Sequence, residues 1–226
     1  MATRRARRPP AKAETGSTWP MPPLPALAIS AIVIAVALAA GAATSWLLAP
    51  HPSGAFARCA TAEQLAPRHY AAPPPMCIDP AASYQATIRT TKGSFTVDLL
   101  ARSAPRTVNN FIVLAEHGYF DQLHFFDNRS WVIQTGDPLG NGHGGPGYDL
   151  PPEPGASGGW APGSLGMARF PDGRISGSQF FILKQAWPGG NPTVDYNRFG
   201  SVTRGLDVVG QLTSSDTIVS VQVKRT

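Results

Sequence analysis

Residues Trp131–Tyr148 read WVIQTGDPLGNGHGGPGY. The stretch begins as a strand, because Trp131, Val132, Ile133 and Gln134 are mostly apolar and β-prone. It continues as a long loop in which Gly136, Gly140, Gly142, Gly144, Gly145 and Gly147 alternate with polar residues and prolines. Glycine at that density serves an unusual backbone path, not a core. A phosphate cradle would need a helix N-terminus behind its glycines, and no helical pattern follows. Taken alone, the loop reads equally well as a plain surface connection between strands.

A second stretch changes the balance. Gly177–Ile182 reads GSQFFI, so Gln134 and Gln179 each sit within or beside an apolar strand. A buried glutamine needs hydrogen-bond partners. Two of them near Trp131, Phe180 and Phe181 describe an apolar pocket with a few amide groups, which suits an extended peptide better than an ionic substrate.

The segments VIQTGDPLGNGHGGPGY, GSLGMAR, GSQFFI and RFGSV follow one another between Val132 and Val202. In this order and spacing the chain resembles the cyclophilin family of peptidyl-prolyl isomerases, in its bacterial form, from about Tyr84 to the C-terminus. The resemblance implies a mainly β fold, a closed eight-stranded antiparallel barrel with two capping helices and a peptide groove on its outside. The residues of the body agree with that class. Tyr84–Thr91 and Ser94–Leu100 alternate around the Lys92-Gly93 turn, which predicts a hairpin. Ser103 is placed to cap a helix opening near Pro105, with Val108, Phe111, Ile112 and Ala115 at helical spacing and Gly118 at its end. Asn109 and Asn110 within it are read as facing solvent or a local backbone group. Short strands are expected near Trp131–Thr135, Ser164–Arg169, Gln179–Lys184, Phe199–Thr203 and Thr217–Lys224, with a short helix at Leu206–Leu212. Many short strands and long Gly/Pro loops predict a closed antiparallel barrel.

Ahead of this body the composition changes. The chain has 226 residues with 23 Pro and 23 Gly, enough for one domain plus appendages. Arg4, Arg5, Arg7, Arg8 and Lys12 against Glu14 give residues 1–23 a net charge of +4, leaving +1 for the rest. No basic stripe therefore marks the body, and nucleic acid is not an expected partner. Residues 24–49 contain no charged side chain. That length spans the ~30 Å hydrocarbon layer with some tilt. The preceding arginines predict a cytoplasmic N-terminus and an exported body on a single-pass anchor in the cell membrane. Trp19 and Trp46 flank the run as interface anchors do. Small residues such as Ala40 and Ala42 leave a cleaved signal peptide as the competing reading.

Residues 50–83, rich in Pro and Ala, read as an extended, semi-rigid linker to a body at 84–226. The linker carries Cys59 and Cys77, the two cysteines of the chain. In an exported segment they read as a disulfide, against two free thiols or a link from Cys59 to another chain. Neither lies in the strand pattern, so the body is not expected to depend on the bridge. His51, His69, His117, His124 and His143 are scattered, and no metal site is expected.

Rotation about an X–Pro bond faces a barrier of ~18–20 kcal/mol, yet breaks no bond. A catalyst needs no nucleophile or cofactor. It must hold the proline ring, fix the flanking backbone and place a donor near the prolyl nitrogen as resonance is lost. Carried over from the resemblance, Trp131 and Val132 line the proline pocket, Gln134 and Gln179 bind in the groove, and Ala168, Arg169 and Phe170 follow the family's alanine segment. Phe181, Trp187 and Tyr196 complete the surroundings. The family's catalytic arginine has no clear counterpart. Counting back from Gln134 without a gap places Phe126 there, and one gap places Asp127 there. Arg129 is the nearby arginine: a solvated loop residue, or the catalytic substitute if the strand is bulged. The resulting expectation is a membrane-anchored, extracytoplasmic, monomeric isomerase for proline-containing segments of exported proteins, weakened at its donor. A non-catalytic proline-peptide-binding module is the alternative.

Overall fold

The computed structural model describes residue 56 and residues 58–153 and 159–226. The basic tail and the apolar run at 24–49 lie outside the described residues. Among the described residues no helix is long and apolar enough to cross a membrane.

From Cys59 onward the expected extended linker is corrected. Cys59 and Cys77 are disulfide-bonded with their Cα atoms 5.2 Å apart, and the loop between them carries a small hairpin of β1 (Gln64–Ala66) and β2 (His69–Tyr70). Phe56, Cys59, Tyr70 and Ile78 are all buried in the core of the body. The Phe56 and Tyr84 rings lie 6.0 Å apart. The Tyr70 amide donates to the Pro146 carbonyl at 2.8 Å. Buried aromatic and aliphatic groups in a Pro/Ala-rich segment give it a reason to pack rather than extend.

β3 (Tyr84–Thr90) and β4 (Ser94–Leu99) form the predicted hairpin, with Tyr84, Ala86, Ile88 and Thr90 on the buried face of the first strand. α1 (Pro105–Glu116) opens at proline as expected and buries Val108, Phe111, Ile112 and Ala115. Its cap differs. Ala104 is the N-cap and gives no side-chain bond; the first-turn amides of Arg106 and Thr107 instead donate to the Glu153 carboxylate at 2.9 and 2.8 Å. An anion from a distant loop satisfies the orphan donors and suits the positive end of the helix. Asn109 and Asn110 are also corrected: both are buried and act over long range. The Asn109 carbonyl oxygen accepts the Cys77 amide at 2.8 Å. Asn110 donates to the Gly177 carbonyl at 2.7 Å and accepts the Tyr148 hydroxyl at 2.7 Å.

The chain continues through β5 (Asp127–Asn128), β6 (Val132–Thr135), β7 (Asp149–Leu150), β8 (Ser164–Arg169), β9 (Ile175–Leu183), β10 (Arg198–Arg204), α2 (Leu206–Gln211) and β11 (Ile218–Arg225). One antiparallel sheet runs β11-β3-β4-β10-β8-β9-β6-β5, with β7 paired to β9. It curls around Phe111, Phe120, Phe180 and Phe199, whose rings meet at 5.2–6.0 Å. The expectation of a closed eight-stranded barrel is corrected to a curled, open sheet with two helices. Its end strands β5 and β11 do not form a ladder. Gln122 takes a left-handed turn, φ 64, so the chain entering β5 bends. It meets β11 through loop bonds such as Gln122 N to Ile218 O at 2.7 Å, and the isolated His124–Thr217 bridge.

Candidate active site

The antiparallel register of β6 on β9 brings the two organising stretches together, pairing Gln134 with Phe181 and Thr135 with Phe180. Gln134 donates to the Gln179 side-chain oxygen at 2.9 Å, and Gln179 donates to the Gly144 carbonyl at 2.7 Å. The two glutamines therefore answer each other's amide needs and anchor the glycine-rich loop. Asp137 ties that loop from within. Its buried carboxylate accepts the amides of Leu139 at 2.8 Å, Asn141 at 3.0 Å and Gly142 at 2.6 Å. Beneath, Tyr119 donates to Ser178 Oγ at 3.0 Å, and Ser178 donates to the Gly136 carbonyl at 2.7 Å. Burial raises the Tyr119 phenol well above its ordinary pKa, against the smaller opposing effect of the Ser178 bond. Burial likewise raises that of Tyr148. Both hydroxyls stay neutral donors.

Beside Gln134 an apolar cluster of Val132, Trp160, Phe181 and Leu183 is flanked by Trp131, Trp187 and Tyr196. Trp131 and Trp187 meet edge-on at 5.0 Å, Trp160 stacks on Phe181 at 5.6 Å, and Phe181 meets Tyr196 at 5.3 Å. Trp131, Val132, Phe181, Trp187 and Tyr196 line an open cavity of about 170 Å³ together with Asp127, Arg129, Gln134, Ala168 and Arg169. Rings locked against one another lose little freedom when an apolar ring enters.

The hairpin of β5 and β6 supplies the mouth. Its register pairs Asp127 with Gln134 and Asn128 with Ile133. Directly opposed residues share a face, so Asp127 lies on the Gln134 side. The Arg129 amide donates to the Val132 carbonyl at 2.9 Å, which leaves Ser130 and Trp131 as a two-residue loop. Alternation returns Arg129 to the face of Asp127. Its guanidinium forks onto the Asp127 carboxylate, Nε to Oδ1 at 3.1 Å and Nη2 to Oδ2 at 3.0 Å. That bond, then the charge behind it, raises the pKa of Arg129.

Most of the sequence-nominated residues thus converge: Arg129, Trp131, Val132, Gln134, Ala168, Arg169, Phe181, Trp187 and Tyr196 all line the cavity. Three do not. Gln179 is buried behind Gln134. Phe126 lies off the cavity, near the glycine loop at Gly142. Phe170 carries the Arg174 guanidinium 5.0 Å above its ring and lines a second, larger cavity of about 770 Å³, together with Arg68, His69, Gly144 and Pro146. Of the two residues weighed for the arginine's place, Asp127 reaches the cavity and Phe126 does not.

Residues 85–226 match the family model of the cyclophilin type peptidyl-prolyl cis-trans isomerases/CLD. The chain belongs to the cyclophilin family. A peptidyl-prolyl cis-trans isomerase of Helicobacter pylori is 37% identical over 143 residues, which are 60% of this chain and 84% of that protein. One of Synechococcus elongatus is 36% identical over 143 residues, 62% of this chain and 95% of that protein. A crystal structure of a Cryptosporidium parvum cyclophilin type isomerase in the presence of the dipeptide Ala-Pro superposes with a TM-score of 0.56. It has 26% identity over 63% of this chain and 99% of that one. The protein is a cyclophilin-type peptidyl-prolyl cis-trans isomerase.

The cyclophilin's cavity is an apolar slot with the Gln134 amide at its side. Beside it stand the Arg129 guanidinium and the Asp127 carboxylate. Sequence reasoning missed two contributors. Trp160 forms the back wall of the ring cluster, and its signal was an isolated tryptophan in a Gly/Pro loop. Asp127 was weighed only as a stand-in for arginine, and no signal in the linear spacing ties it to Arg129.

Proposed function

We propose that this cyclophilin is a slow isomerase for proline-containing segments of exported proteins, working as a monomer outside the cytoplasm and held to the membrane by residues 24–49. The observation that carries the reading is the cavity beside Gln134, with Arg129 on the turn after β5 as the cation paired to the carboxylate opposite that glutamine. An apolar slot of this kind binds the ring, while a guanidinium whose side chain is 62% exposed polarises the prolyl amide less than a buried, preorganised donor would. Export is supported by the basic residues ahead of an uncharged run and by a disulfide, which suits an oxidising compartment.

The test is two-fold. Exchange spectroscopy on an Ala-Pro peptide with the full chain should show cis–trans interconversion above the uncatalysed rate, and externally added protease should digest the body in intact cells. Isomerisation at the background rate with retained peptide binding would favour the second reading, a proline-peptide-binding module. That reading has its own support: a carboxylate, Asp127, sits directly across from Gln134. Recovery of a soluble product with a new N-terminus near Ala42 would replace the anchor by a cleaved signal peptide.

A further inference from the structure

Two arginines line the proline cavity, and they are held differently. Arg169 Nη1 donates to the Asp195 carbonyl at 3.1 Å, away on another loop. Arg129 is held by a single carboxylate that also lines the cavity and stands opposite Gln134. We infer that Asp127 is a positioning residue of the isomerase, whose carboxylate orients the Arg129 guanidinium over the bound prolyl amide.

Three observations meet in this inference, which rests on Arg129 acting as the donor. The fork uses Nε and Nη2, two of the five N–H groups of a guanidinium, and sets the plane in which the others point. The two-residue loop fixes the main chain of Arg129 by its bond to Val132, so the side chain is the one soft part left. The hairpin tip is itself pinned: the amides of Lys184 and Gln185 donate to the Trp131 carbonyl at 2.8 and 3.2 Å, and Lys184 Nζ donates to Asn128 Oδ1 at 2.8 Å. A long exposed arginine on a fixed tip samples many rotamers unless something tethers it. Asp127 is that tether. As an exposed ion pair it adds little to folding; its effect is on where the donor spends its time.

Turnover and peptide affinity are measured on the full chain with an Ala-Pro peptide for Asp127→Asn, Asp127→Glu, Arg129→Ala and the Asp127→Asn/Arg129→Ala pair. Asp127→Asn is expected to lower kcat about five-fold with KM nearly unchanged, and Asp127→Glu to recover part of the loss. In the Arg129→Ala background Asp127→Asn should have no further effect, because the residue it positions is gone. An unchanged or faster Asp127→Asn enzyme overturns the inference, as does an equal loss with and without Arg129. If Arg129→Ala leaves the rate untouched, or if the parent chain shows no catalysis, the donor reading itself falls and this inference with it. Circular dichroism melts separate a folding defect from a rate effect. A variant that loses structure is replaced by Asp127→Ser, for which the same fall in kcat at constant KM is required.

Discussion

Gln134 and Asp127 face each other across one strand pair, yet they belong to differently supported regions. Gln134 leans on Gln179, which is 1% exposed, and through it on a loop tied by Asp137, Ser178 and Tyr119. Asp127 belongs to a two-residue strand at the end of the sheet and binds an arginine whose side chain is 62% exposed. The glycine loop is anchored at its buried Gly136, Asp137 and Gly144, and the cavity wall rests on a buried apolar cluster of its own; the hairpin tip lies at the sheet's edge. On the proposed reading, recognition of the proline ring is therefore coupled to folding, whereas the donor to its nitrogen is nearly independent of it. Substitutions on the two sides should separate stability from turnover.

The largest stability effect belongs to the loop side. Gly136 adopts φ +88, and a Cβ there would stand 2.1 Å from the Ser178 carbonyl oxygen. A left-handed non-glycine residue costs ~1–2 kcal/mol, and forced overpacking against backbone adds ~1–3. Gly136→Ala should therefore lose about 4 kcal/mol, a fall in Tm of roughly 8–16 °C for a domain of this size. A melt that moves by less than about 3 °C would show a loop that gives way, and the contrast with the hairpin tip would fail.

The disulfide comes next, and tests whether residues 59–83 belong with the core side. An 18-residue separation between Cys59 and Cys77 restricts the unfolded chain by about 3 kcal/mol in the chain-entropy view. Asn109 and Ile78 hold the same turn to α1. Cys59→Ala with Cys77→Ala should lower Tm by roughly 6–12 °C. An unchanged melt would return the segment to a tether that merely touches the body.

A third, smaller effect lies on the seam between the sheet's ends. Asp216 Oδ1 accepts the Thr91 hydroxyl at 2.8 Å, and Oδ2 accepts the Thr213 amide at 2.9 Å and hydroxyl at 2.8 Å. Desolvation alone would raise its pKa, but these bonds outweigh it and the net shift is downward. A carboxyl with a lowered folded pKa contributes stability that is present above its unfolded value, ~3.9, and lost as the pH falls through the folded value. Asp216→Asn should cost about 1–2 kcal/mol at pH 7, with the gap to the parent narrowing in acid. Denaturant midpoints for both proteins at pH 7 and pH 3 decide it; a gap that widens in acid has the wrong sign.

Legibility in the sequence follows the same division. Alternation located Tyr84–Thr90 and Ser94–Leu99, whose buried and more exposed residues take turns along each strand. It found β9 only from Gln179, although the strand begins at Ile175. Ser176, Gly177 and Ser178 do not look like core, yet they are buried because their polar atoms bond to Gln179, Asn110, Tyr119 and Gly136. The same limit hid Asn109 and Asn110, whose partners lie 31 to 67 residues away. The hairpin Gln64–Tyr70 has no periodic apolar face and was folded into a linker by composition. At the cavity, residue types were legible but register was not. The gap-free count gives Phe126 and a one-residue gap gives Asp127; the two-residue loop that sets Asp127 opposite Gln134 decides between them.

The smallest stability effect should be at Arg129, and it sharpens the comparison most. An exposed ion pair is typically worth ~0.2–1 kcal/mol, so Arg129→Ala should move Tm by no more than about 4 °C. Peptide affinity should stay within about two-fold, because Trp131, Phe181 and Gln134 are untouched. Turnover should nevertheless fall roughly ten- to a hundred-fold, short of the ~10²–10³ lost with a buried donor, since an exposed guanidinium supplies less. If the donor's place is what limits the rate, moving the cation to the strand should reverse the loss. Asp127→Arg combined with Arg129→Ala puts a guanidinium directly across from Gln134 with no carboxylate beside it. Exchange rates on the Ala-Pro peptide should then exceed those of the parent, again with little change in Tm. A double variant that binds peptide normally but turns over no faster than Arg129→Ala would show that a cation opposite Gln134 is not sufficient. The slow step would then have to be sought in the cavity wall, on the side of the molecule where folding and recognition are joined.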